Sequence, residues 1–184
     1  PVHDLPVPAL RRTRSPVTLA GLFRRERRAA RRLREIVGEV RPDVIHANST
    51  AAAVTAAWAE GRGGVPVLWH CRDMVNPGFV GRWVGRRVSA VVAISYSVRR
   101  QIQSCCPRER LHVVVNGIDN ARFNGSVRRD LVRRDWEVGA HTPVVGMAAH
   151  FVPWKNHGLF LRTAVKVLES EPTARFVIAG ADVS

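Results

Sequence analysis

From Arg41 to Val115, short β-branched runs alternate with helix-patterned stretches, and this alternation constrains the fold more than any single motif. Val44 to Ala47, Val65 to Trp69, Ala90 to Ile94 and Leu111 to Val115 read as strands. Ala51 to Glu60, Phe79 to Arg87 and Tyr96 to Ser104 read as the helices between them. A helix between successive strands argues for a parallel sheet, here expected to carry helices on both faces. In such a sheet the carboxyl ends of the strands share one edge, where ligands bind. Polar residues gather where these strands end: His46 to Ser49, His70 to Asp73, Ser95 and Asn116.

The pattern breaks at Asn116-Gly117 and restarts at Pro143. Ile118 to Thr142 is polar and charged, with one helix expected around Val127 to Trp136. Pro143 to Met147 suits a buried parallel strand and Ala148 to Lys155 a loop. Asn156 is suited to cap a helix whose Leu159, Phe160, Thr163, Ala164, Val167 and Leu168 fall at helical spacing. Ala174 to Ala179 reads as one more strand. Lys155 thus stands where a strand's carboxyl end meets a helix's amino end, a junction that favours negative charge. The same Lys would also serve as a solvated surface residue.

Thr18 to Val40 reads as a helix with an apolar stripe through Leu22, Phe23, Ala29, Ala30, Leu33, Ile36, Val37 and Val40. Seven arginines between Arg24 and Arg34 cover the rest, and much of the net charge of +14 lies between Arg11 and Arg41. This helix is either a surface helix with Arg stems over its flanks or a patch attracted to anionic lipid. No zinc-finger spacing, aromatic RNA-binding motif or helix-turn-helix accompanies the charge, which argues against nucleic acid as a partner. Cys71, Cys105 and Cys106 fit neither a disulfide framework nor a metal site, and read as reduced, partly buried thiols. No apolar run reaches the length of a membrane span. Pro1 to Pro16 is Pro-rich and reads as an extended entry to the domain.

Six phrases occur in order: RPDVIHANS, VPVLWH with a downstream Asp, VSAVVAISYSVRRQI, RLHVVVNGIDNARF, VVGMAAHFVPWKNHGLFLRTA and ARFVIAG. Together they resemble the family-four retaining glycosyltransferases of the GT-B fold. The resemblance implies an α/β protein with Rossmann-like parallel sheets. Residues 1–116 would be an incomplete acceptor-side N-terminal domain. Residues 117–142 would be a linker, and 143–184 the first βαβ unit of the nucleotide-sugar-binding domain. It further implies transfer of a sugar from a UDP- or GDP-linked donor to a glycan, lipid or small-molecule acceptor, with retention of configuration and without a metal or other cofactor. A cytoplasmic setting follows, with peripheral contact to the inner face of a membrane through the Arg-rich helix. This stretch alone is not expected to turn over.

Residue by residue, Lys155 matches the family's donor-diphosphate lysine, and His150 stands where the family has an Arg beside the same diphosphate. His70 matches a strand-end His close to the reacting sugar and is the catalytic candidate; backbone-satisfied strand-end histidine is the alternative. Asn48 and Ser49 match the polar strand end facing the acceptor, although helix capping would also explain them. Asn116 matches the asparagine at the domain passage, and equally suits an Asn-Gly turn. Asp73 has the chemistry of a base, but retention in this family is usually explained by same-face attack, so it is not assigned as a nucleophile. The rival readings are a GT-B-like sugar-nucleotide 2-epimerase, a non-catalytic basic module for membrane or nucleic acid, and a degenerate product without activity.

Overall fold

A computed structural model describes residues 2–8, 15–60, 64–72, 74, 78–125 and 128–181. The chain divides into two units, Pro1–Ile118 and Asp119–Ser184.

The first unit is a four-stranded parallel sheet of β1 (Ile45–Ala47), β2 (Val67–Cys71), β3 (Ala90–Ala93) and β4 (Leu111–Val113), in the spatial order β1-β2-β3-β4. Helices α2 (Thr50–Glu60), α3 (Gly78–Gly85) and α4 (Tyr96–Ile102) connect them. Because the strands follow one another in a single direction and such crossovers are right-handed, all three helices fall on one face. The core bears this out. Ala47, Trp69, Val91 and Leu111 form one row across the sheet and pack with Ala53, Val84, Val98 and Ile102 of the helices. The expectation of crossover helices on both faces is therefore corrected. Along β2 the side chains alternate, with Val67, Trp69 and Cys71 buried and Leu68 and His70 only half-buried on the opposite face.

Strand β2 starts and ends two residues later than its apolar run suggests. The Val65 N–H is taken by the Glu60 carboxylate at 2.9 Å, and Pro66 has no N–H to give. At the other end His70 and Cys71 pair with Val92 and Ala93, so His70 stands on a strand between two neighbours and not in the following loop. All three thiols are buried and outside disulfides, more deeply than the partial burial expected, and burial raises the pKa of Cys105 and Cys106.

Helix α1 (Pro16–Val40) precedes the sheet and packs on α2 through Ala29 and Ala30, both fully buried. It is capped by Ser15, and ends at Arg41, whose left-handed backbone (φ 49°) lets its N–H return to the Val37 carbonyl. The Arg34 guanidinium reaches from α1 to the carbonyls of Ala59 (2.7 Å) and Trp58 (3.0 Å), satisfying two acceptors at the end of α2. Phe23 meets the edge of Trp58, Trp58 abuts Trp83, and the Arg87 guanidinium lies 4.3 Å above the Trp83 ring. This aromatic chain links α1, α2 and α3.

The second unit contains α5 (Arg129–Asp135), β5 (Val144–Ala148), α6 (His157–Ser170) and β6 (Arg175–Ala179), with β5 and β6 paired in parallel. Among its described residues only Ala164 and Ala174 are buried. One βαβ turn offers one helix to one face of a two-stranded sheet, so apolar side chains such as Leu161 and Val165 remain exposed.

Candidate functional site: a strand-end histidine pair and a lysine before a helix

His46 and His70 are diagonal neighbours on the same open face. His46 pairs in register with Leu68, two residues before His70 on β2. That spacing lets long or aromatic side chains touch. His46 Nε2 lies 3.1 Å from His70 Nδ1, and the rings are within 15° of parallel. His70 Nε2 is buried and has no hydrogen-bond partner among the described residues. An unmatched buried polar group costs about 1–3 kcal/mol, so this nitrogen gains from taking a further hydrogen-bond partner. Burial, the neighbouring His46 and the Arg72 guanidinium hold the His70 imidazole below its ordinary pKa. It is neutral at pH 7 and offers one N–H or one lone pair, not a full charge. His112 shares the face, in register with Val92, which itself pairs with His70.

The other strand-end polar residues are partly committed to folding. The Ser49 hydroxyl accepts the Ala52 N–H at 3.1 Å, and the Ser95 hydroxyl accepts the Val98 N–H at 3.2 Å. Each caps the helix that follows its strand. Asn48, beside Ser49, is exposed. Asn116 is exposed three residues beyond β4, near the end of the first unit. Asp73 lies outside the described residues.

In the second unit, β5 ends at Ala148 and a single 3-10 turn, Pro153–Lys155, leads to α6. Asn156 takes the left-handed conformation (φ 54°) and its side chain accepts the Leu159 N–H at 3.2 Å, the cap its position suggested. Lys155 immediately precedes this cap and is exposed, as is His150 in the loop after β5. Among the described residues neither side chain has a hydrogen-bond or ionic partner. The unit therefore carries one unneutralised cation and one imidazole between a strand's carboxyl end and a helix's amino end, an arrangement suited to an anion. His157 opens α6 and stacks on Phe151 at 4.8 Å, with its Nε2 buried and unpartnered.

In the sequence His46 reads only as one of several strand-end polar residues, and its partnership with His70 is what sequence reasoning missed. It shows up only when β1 and β2 are set side by side: both histidines are penultimate in their strands, and that offset puts them on one face. Among the described residues no group of three or more His, Cys, Asp or Glu could hold a metal ion. No described helix is long and apolar enough to cross a membrane.

The parallel sheet with polar strand ends, followed by a separate βαβ unit, is an α/β architecture of the GT-B type. The chain belongs to Glycosyltransferase Family 4, whose profile matches residues 3–122. Among solved structures it is similar to Anabaena Alr3699/HepE in complex with UDP and glucose, at 22% identity and a TM-score of 0.68. That match covers 84% of this chain and 43% of the Anabaena chain. The UDP-glucose complex of the same protein matches at 21% identity, a TM-score of 0.68, and 83% and 43% coverage. A glycosyltransferase from Rickettsia africae matches at 14% identity and a TM-score of 0.59, over 95% of this chain and 54% of that one. The chain thus spans about half the length of the solved structures it resembles. No curated protein matches.

Proposed function

We propose that this chain is part of a retaining glycosyltransferase that moves a sugar from a nucleotide-sugar donor to an acceptor. The observation that carries the reading is the buried, unpartnered Nε2 of His70 at the carboxyl end of an inner strand, in a chain that belongs to Glycosyltransferase Family 4. The first unit is the acceptor side, where Asn48 and Ser49 border the acceptor and Asn116 marks the passage to the second. The second unit is the start of the donor side, where Lys155 and His150 bind the donor diphosphate. The binding of UDP and UDP-glucose by the Anabaena protein of like fold supports a nucleotide-sugar donor. Family membership favours transfer over 2-epimerisation.

In this reading the leaving phosphate accepts the acceptor's proton, and His70 orients a sugar or acceptor hydroxyl by a hydrogen bond. Lys155 stabilises charge developing on the departing diphosphate. Calorimetry of the full-length protein with UDP- and GDP-linked sugars tests the assignment. Lys155→Ala should weaken donor binding by about 1.5–3 kcal/mol, the scale of a charged hydrogen bond. Unchanged affinity would overturn the donor-site reading. His70→Ala should lower turnover more than donor affinity, and the reverse pattern would remove it from the reaction centre.

A further inference from the structure

We propose that His46 is a positioning residue which donates its Nε2–H to His70 Nδ1 and so holds His70 as a neutral ring with its proton on Nε2, an N–H donor toward a substrate oxygen.

Two nitrogens 3.1 Å apart on two imidazoles share one hydrogen. There are two ways to supply it. If His70 Nδ1 donates, both rings carry their proton on Nδ1, and His70 presents a bare Nε2 lone pair. If His46 Nε2 donates, both rings carry their proton on Nε2, which is the intrinsically favoured tautomer of the histidine side chain. The second arrangement therefore satisfies the contact without forcing either ring. It also survives protonation of His46, because an imidazolium still donates from Nε2. His70 is half-buried beside the Arg72 guanidinium, and both features disfavour a charge on its own ring. In each of these states His70 Nε2 remains an N–H.

The outcome gives His70 a definite chemical role. A neutral Nε2–H can hydrogen-bond a sugar hydroxyl or a phosphate oxygen but cannot remove a proton from an acceptor. Accepting a bond at Nδ1 draws electron density from the ring and makes Nε2–H a stronger donor. The near-parallel rings restrict rotation of His70, so the N–H points in one direction.

This inference rests on His70 facing the reacting sugar, and the experiment separates the two claims. Long-range proton–nitrogen correlation on the ¹⁵N-labelled chain reads the tautomer of each histidine directly. His70 is expected to show a protonated Nε2 and a bare, hydrogen-bonded Nδ1. In His46→Phe, which keeps a flat ring and removes the donor, His70 should become a mixture of tautomers. His46→Gln returns an N–H donor and should restore the wild-type signature. A His70 protonated on Nδ1 in the wild type, or a tautomer unchanged in His46→Phe, overturns the proposal; the first measurement needs no variant to fold. In the full-length protein with a nucleotide-sugar substrate, His46→Phe should lower kcat about tenfold with little change in donor KM, the effect of losing one well-aligned hydrogen bond. If His70→Ala leaves turnover intact, the functional reading of His70 fails, and the tautomer data still decide the pairing.

Discussion

Inside the α1–α2 interface the Thr55 hydroxyl lies 2.5 Å from the Glu26 carboxylate, and both side chains are buried. Desolvation raises the Glu26 pKa, and the bond from Thr55 opposes that shift only in part. The protonated acid is also well accommodated. It donates to Thr55, whose own hydrogen then turns to the Ala51 carbonyl at 3.5 Å. Between the ordinary carboxyl value and the raised folded value, the folded state holds a proton that the unfolded chain has released. Stability therefore falls as pH rises through that window. Glu26→Gln keeps a partner for Thr55 and carries no charge. It should gain on the order of 1 kcal/mol near pH 7 and flatten the profile between pH 4 and 8. Thermal melts across that range check this, and identical profiles for the two proteins would refute it.

Arg34 does a different job on the same interface, since its two bonds end the α2 helix. Arg34→Ala should cost about 1–2 kcal/mol by leaving the Ala59 and Trp58 carbonyls to water or to nothing. Arg34→Lys should recover only part of this, because a point-like ammonium cannot bridge both acceptors with the guanidinium's geometry. Equal stability of the Lys variant and wild type in urea would show that charge alone matters.

Gly85 closes α3 against the loop before the 3-10 turn Arg108–Arg110. A Cβ there would run into the Cys105 carbonyl oxygen and lie 2.9 Å from its carbon. Gly85→Ala should destabilise by about 1–3 kcal/mol, the cost of overpacking, despite better helix propensity. A neutral or stabilising Gly85→Ala would mean that the 105–106 backbone yields readily.

The Arg-rich helix α1 uses Ala29 and Ala30 against α2, and Arg24, Arg28 and Arg31 are exposed. An interfacial membrane helix needs a continuous free apolar face beside its basic one, whereas the large apolar residues exposed on α1, Val17, Leu19, Phe23 and Val40, lie toward its two ends. Co-sedimentation with liposomes containing anionic lipid should therefore be weak at about 0.15 M salt, where the Debye length is about 8 Å. Tight binding that resists added salt would restore the membrane reading for this helix.

Much of the first unit is legible in the sequence because parallel strands leave dense signals. Val91 and Val92, or Val113 with Leu111, read as strand without help. Asn156 is legible as a cap because an Asn directly before a helical apolar pattern has few other uses. What escapes is whatever depends on two distant segments at once. The late start of β2 depends on Glu60 taking the Val65 N–H. The need for glycine at 85 depends on the Cys105 backbone. The partnership of His46 with His70 depends on the offset between β1 and β2, which no periodicity in either strand reveals. Ser49 shows the converse problem: its residue type suits both a cap and a ligand contact, and only the 3.1 Å bond to the Ala52 N–H shows that the cap is made.

The alternation along β2 separates two demands that often compete. Trp69 and Cys71 face the helices and hold the unit together, while His70 between them faces away and contributes little to the core. Substitutions at His46 and His70 can therefore change what the sheet edge does without unfolding it. The chemistry of this edge and the packing beneath it can therefore be altered separately.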